Sequence, residues 1–292
     1  MPGRILLIVF FAFWLSVQIT HAQQWRPVNG SRQSNISGMA LVEHRGPHTA
    51  FLVVHDNKKK EQVHAGLLTI DGGDAPRYTP LQWKGSNTPV DLEAVTAIPG
   101  FSGQFVAFAA DGGVFQVKFD AGKSALELIR STRVPMMPSE PDFEGFAIQK
   151  INGKMIAVWA ERGATEKPAT LFWSNFDLAT GNFSNVKFTS LTVPYPATNV
   201  RHVSDIKVDT SGAVFVTSAS DPGNDGPFSS AFYFAGSFSA ESLVFNRPIT
   251  YTRLYSFDYH KVEAFELVPG ADGGVAFGTD DENLGASVFL TF

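Results

Sequence analysis

The chain has 292 residues, of which 44% are hydrophobic, 13% aromatic and 17% charged, with 26 Phe and 26 Gly; that composition supplies a large core and excludes a mainly disordered protein. A formal net charge of −5 argues against a general polyanion binder, so nucleic acid is not an expected partner. Cysteine is absent, which removes disulfide scaffolds, thiol catalysis and thiolate metal sites together.

Residues 1–22 carry one basic residue at Arg4, an apolar run from Ile5 to Val17, and small residues Thr20 and Ala22 before Gln23. This is the arrangement of a secretory signal peptide. The run is shorter than the roughly 20 apolar residues a spanning helix needs. Cleavage leaves residues 23–292 as one domain with a balance of −6, secreted or periplasmic and without a membrane span. Glycosylation sequons stand at Asn29, Asn35 and Asn182. Asn35 adjoins a position assigned below to the protein's centre, so its sequon is read as chance.

From residue 36 onward one short phrase recurs. The first unit has ISGMALV from Ile36 and a second apolar run from Phe51 to Val54. The second has LEAVTAI from Leu92, then runs at 105–109, 114–119 and 126–129. The third has FEGFAIQ from Phe143, then 155–159, 171–176 and 186–189. The fourth has VSDIKVD from Val203, then 213–217 and 231–234. The fifth has VEAFELV from Val262, then 275–278 and 287–290. Successive phrases lie 56, 51, 60 and 59 residues apart, and a fifth of the mature chain is 54. The runs are rich in β-branched and aromatic residues and are separated by Gly, Pro, Asn and Asp turns. No window carries a capped helical period. Four strands per unit, repeated radially, predict an all-β, five-bladed β-propeller. Six blades is the alternative if a longer unit holds an extra sheet, while a β-sandwich leaves the period unexplained. The last unit has only three strands, and residues 24–28 have no partner, so the N-terminal strand is expected to complete the last blade and remove an open sheet edge.

The second position of the phrase reads Ser37, Glu93, Glu144, Ser204 and Glu263. In a propeller the inner strands start near the axis, so these five would ring the channel mouth. Crowded glutamates require a cation, protons or water. Oxygen donors without Cys or His suit a hard ion, and Ca²⁺ better than Mg²⁺. The competing reading is that Ser and Glu only cap strand starts in a wide, hydrated channel. The order Ser, Glu, Glu, Ser, Glu at five inner strands resembles the calcium-activated nucleotidases, or apyrases, which are five-bladed propellers with an axial Ca²⁺. That resemblance implies that the five residues surround the ion, directly or through water. The phrases DLEAVTAI and DFEGFAI are also similar to extracellular phytase-like propellers.

Loops returning to the same face bring Asp56, Lys58, Asp111, Glu161, Arg162, Asp221 and Asp280, and the segments entering the inner strands add Asp91, Asp142, Arg201, His202, His260 and Lys261. Asp56, Asp111 and Glu161 are the catalytic candidates, able to orient a water beside the ion. Lys58, Arg162, Asp221 and Asp280 are the substrate-binding candidates. Ordinary turn chemistry explains several of these aspartates equally well. No P-loop, HExxH, G-x-S-x-G elbow or EF-hand is present. Trp83, Trp159 and Trp173 pack between blades unless they are exposed to stack on a ligand. The expected function is a Ca²⁺-dependent hydrolase of a small phosphorylated molecule; the alternative is a non-catalytic scaffold whose ion is structural.

Overall fold

A computed structural model describes residues 24–29, 34–85, 88–136, 138–239 and 244–292; the leader proposed for 1–22 lies outside them. The described residues form five small sheets in sequence order around an axis. Blade I is Gly38–Arg45, His48–Val54, Ala65–Asp71 and Arg77–Pro80. Blade II is Leu92–Ala97, Gln104–Ala109, Gly113–Asp120 and Ala125–Arg133, with Gln82–Lys84 added in parallel at its outer edge. Blade III is Phe143–Ile151, Lys154–Glu161, Ala169–Asp177 and Asn182–Leu191. Blade IV is Val200–Val208, Ala213–Ser220 and Ser229–Phe238, the last paired with both Phe245–Asn246 and Thr252–Asp258. Blade V is Val262–Val268, Gly274–Thr279 and Ala286–Leu290, and Arg26–Asn29 pairs antiparallel with its third strand. The expected N-terminal closure is therefore present, and the count is five. No helix among the described residues is long and apolar enough to cross a membrane.

The core sits between blades. Each of the five hydrophobic clusters joins two neighbours: Phe108 of blade II stacks on Phe146 of blade III at 4.8 Å, and Phe232 of blade IV meets Phe265 of blade V edge-on at 4.9 Å. Radial packing of flat side chains explains the phenylalanine content. Trp159 is fully buried and Trp173 is 8% exposed, so both are packing residues.

Two features of the phrase position the site. Its third residue, Gly38, Ala94, Gly145, Asp205 or Ala264, is buried in every blade. A Cβ on Gly38 would lie 2.7 Å from the Ala94 backbone, and one on Gly145 2.8 Å from Ile206, so these inner strands touch at the axis only because Gly38 and Gly145 carry no side chain. Its second residue sits at a break in the ladder to the neighbouring strand. The register shifts between Leu92 and Ala94, between Phe143 and Gly145, and between Val262 and Ala264. A bulge re-aims the extra side chain, here turning Glu93, Glu144 and Glu263 into the axial mouth. Backbone bonds knit the mouth: Phe143 donates to Ala110 O at 3.2 Å, Val203 to Arg162 O at 3.1 Å, and Ile36 to Thr279 O at 3.0 Å.

Candidate functional site

Glu93, Glu144 and Glu263 line a cavity of about 140 Å³ at the axial mouth, together with Asp56, Asp91, Asp142, Asp280 and Glu282. Lys58, Arg162, Arg201 and Lys261 supply its positive charge. Carboxylates thus outnumber cationic side chains eight to four in a space that holds only a few waters.

The cations are distributed unevenly. Arg201 lies three residues before Ser204 on a longer inner strand, and it fills the mouth where blade IV has no glutamate. Its Nη1 donates to Glu263 Oε1 at 2.8 Å and to Glu144 Oε1 at 3.5 Å, and its Nη2 donates to Asp221 Oδ2. Lys261 pairs with Glu263 at 3.1 Å and Glu282 at 2.7 Å. Arg162 pairs with Asp142 at 2.7 Å and Glu144 at 3.2 Å. By contrast, Glu93 and Asp56 make no hydrogen bond or ion pair with the described residues. Lys58 approaches Asp91 only at 3.6 Å and is 75% exposed. Asp91 is held at φ 58°, a left-handed conformation that Asp tolerates better than most residues and that concentrates at functional sites.

Electrostatics follow from this division. Burial raises the Glu93 carboxyl well above its usual range, reinforced by Glu144 and Asp56. Burial pushes Glu144 up to about 7, with Arg201 opposing and Glu263 adding. Asp56 and Asp280 are raised by burial and then by Glu263. Asp221 goes the other way: burial favours its neutral form, but Arg201 and Lys261 outweigh that and lower it.

The sequence candidates separate accordingly. Glu93, Glu144, Glu263, Asp56, Asp280, Lys58 and Arg162 meet at the cavity. Ser37 and Ser204 lie in the same ring, but neither lines the cavity. The Ser37 hydroxyl is buried without a partner among the described residues, and Ser204 Oγ donates to Val262 O at 3.0 Å, joining blades IV and V. Asp111 lies outside: it pairs with Arg133 and accepts the Gly113 N–H at 2.9 Å, as a turn aspartate does. Glu161 is buried against Lys167, and Asp221 is held by Arg201 behind the cavity wall. His55, His202 and His260 are each engaged in contacts within the fold. His55 donates to Asn35 O at 2.6 Å and accepts from Tyr78 at 2.8 Å, and burial lowers it to about 4. His202 accepts the Val193 N–H at 3.3 Å, and His260 pairs with Asp281 at 2.7 Å. Asn35 is 2% exposed and donates to Asp280, so its sequon is buried. Asp91, Asp142, Arg201, Lys261 and Glu282 received no role from sequence. Three of them had a signal: Asp91, Asp142 and Lys261 each directly precede a phrase.

All cavity acceptors are oxygens, and Glu93 and Asp56 are uncommitted, a donor chemistry that fits a hard cation. No three Asp, Glu or His side chains among the described residues are already clustered as ligands.

No family model matches the chain, and no curated protein matches it. Solved structures share the fold. A protein titled "Glycoside hydrolase" has a TM-score of 0.52 at 10% identity, covering 88% of this chain and 60% of that one. The GH43 endo-arabinanase from Bacillus licheniformis gives 0.47 at 10% identity over 90% and 94% of the two chains. The α-L-arabinofuranosidase from Lactobacillus brevis gives 0.49 at 11% over 88% and 90%. These neighbours are glycoside hydrolases rather than the nucleotidases or phytase-like propellers that the phrases resemble. Similarity at this level establishes the propeller and leaves the chemistry to the site itself.

Proposed function

We propose that the axial mouth holds a divalent cation, Ca²⁺, and that the protein is an exported Ca²⁺-dependent hydrolase of phosphoester or phosphoanhydride bonds in a small molecule. One observation carries this reading: among the described residues Glu93 and Asp56 are unpaired, in a cavity where carboxylates exceed cations by four. Glu93, Asp56 and Asp280 would hold the ion, with Asp91 beside them. Bound there, the ion would neutralise a phosphoryl oxygen and lower the pKa of a water. Glu144, near 7, exchanges a proton at neutral pH and suits the general acid or base. Arg162, 31% exposed, and Lys58 stand on the solvent side, where the anionic remainder of a substrate would lie. An anion enters so acidic a cavity only with a cation, so substrate binding itself would depend on the metal.

Glu144 also favours a second reading. A carboxyl group near 7 beside other carboxylates is the pairing used for acid–base glycoside cleavage, and the neighbour titled as a glycoside hydrolase has this fold. The test is a hydrolysis screen of nucleoside di- and triphosphates, p-nitrophenyl phosphate and p-nitrophenyl glycosides, each with Ca²⁺ or EGTA. Phosphate release abolished by EGTA is the expected result. Glycoside cleavage indifferent to EGTA would transfer the site to the second reading. No turnover of either, with melting raised by Ca²⁺, would leave a scaffold with a structural ion.

A further inference from the structure

A second cavity, of about 590 Å³, opens at the opposite end of the axis, where the inner strands finish. Its walls include Thr96, Pro99, Ile148, Phe215 and Leu267 together with the charged Asp209, and two more charged residues line it, Lys207 and Glu266. Both occupy the fifth position of the phrase, which is Ala40, Thr96 and Ala147 in the other blades.

Lys207 is already satisfied: its Nζ lies 3.2 Å from Asp205 Oδ2 and donates to Val95 O at 3.0 Å. Asp205 in turn accepts the N–H groups of Ile206 at 2.7 Å and Phe265 at 3.0 Å. This buried pair ties blades II, IV and V and has nothing left for a ligand. Asp209, also at the wall, holds its own turn through Oδ1, which accepts the Ser211 N–H and hydroxyl and the Ala213 N–H. Glu266 differs. It makes no ion pair among the described residues; it accepts the Leu267 N–H at 3.1 Å and a backbone bond from Leu41. A carboxylate has about four acceptor positions, so acceptor capacity remains beside an apolar wall. Burial pushes Glu266 up to about 7, with Lys207 opposing and Asp205 adding.

We propose that this far mouth is a binding site for a small amphipathic ammonium compound, its cation on Glu266 and its apolar body along Ile148, Phe215 and Leu267. The cavity lies within the usual size range of small-molecule sites, which combine apolar walls with a few fixed polar groups. The site is separate from the acidic mouth and does not depend on the function proposed there.

The test is calorimetric titration of the full protein with n-hexylammonium at pH 8.5, with 1-hexanol and methylammonium as comparators. Saturable one-to-one binding of hexylammonium is expected, at least tenfold tighter than either comparator, since the first lacks the charge and the second the apolar body. Glu266→Gln should weaken it at least tenfold, and Thr210→Trp, at the exposed cavity rim, should block it without altering the core. Equal binding of hexanol would remove the role of Glu266, and equal binding of methylammonium would place the cation at the acidic mouth instead. Absence of saturable binding to the unmodified protein, or binding unchanged in both variants, would overturn the proposal outright.

Discussion

Replacing Arg201 with Met keeps a side chain of similar length and removes the charge that joins three blades at the axial mouth. Glu263, Glu144 and Asp221 then lose a shared partner. Removing one member of a buried ion pair costs about 3–5 kcal/mol. The Asp221 side chain is 29% exposed, and water can replace part of what it loses, so the lower end, about 3 kcal/mol, is expected. For a domain of this size each kcal/mol moves the melting point by about 2–4 °C, giving a fall of about 6–12 °C at pH 8 by calorimetry. The effect should depend on pH with a definite sign. Glu144 is raised to about 7, so at pH 5 it is already neutral and loses little with Arg201; the fall must be smaller at pH 5 than at pH 8. Arg201→Lys should recover only part of the loss, because an ammonium cannot reproduce the forked contacts. Arg201 also competes with any cation for the same oxygens, so Arg201→Met should bind Ca²⁺ more tightly than the unmodified protein. A melting point within about 2 °C of the original at pH 8, or a larger loss at pH 5, would refute the view that Arg201 neutralises the ring.

Gly38→Ala should destabilise by about 3 kcal/mol or more, because its Cβ would meet backbone atoms of Ala94 at 2.7 Å that cannot rotate aside; urea denaturation measures this, and a loss below about 1 kcal/mol would show that the inner strands can separate cheaply. The Glu266 carboxyl, raised from 4.5 to about 7, binds its proton more tightly folded than unfolded. Its contribution is complete below about pH 4.5 and is lost as pH rises through 7, by at most about 3 kcal/mol. Glu266→Gln should therefore gain on the unmodified protein between pH 5 and pH 8 in urea denaturation, and parallel pH profiles would contradict the assignment.

What the sequence made legible was whatever recurs. Five phrases at a near-constant spacing gave the blade count, and an unpartnered segment before Ile36 together with a three-strand last unit gave the closure by Arg26–Asn29. The second position of the phrase was legible as a ring, although the bulges that turn its glutamates inward show in sequence only as a polar residue followed by a small one between apolar neighbours. What escaped is what does not recur. Arg201 and Lys261 neutralise Glu263 from different blades, and a pairing across blades leaves no periodic trace. One loop residue misses the cavity by a single position. Two positions beyond the ladder partner of each small third residue stand Asp56, Ala110, Arg162 and Asp280, so blade II presents Ala110 where Asp111 was expected, and Asp111 turns to Arg133. That alanine makes the rim asymmetric. Beside it Asp91 lines both the axial cavity and a pocket of about 630 Å³ between blades I and II. The repeat thus brings three glutamates to one mouth, and the residues that break the repeat decide how charge is balanced there and from which side it is approached.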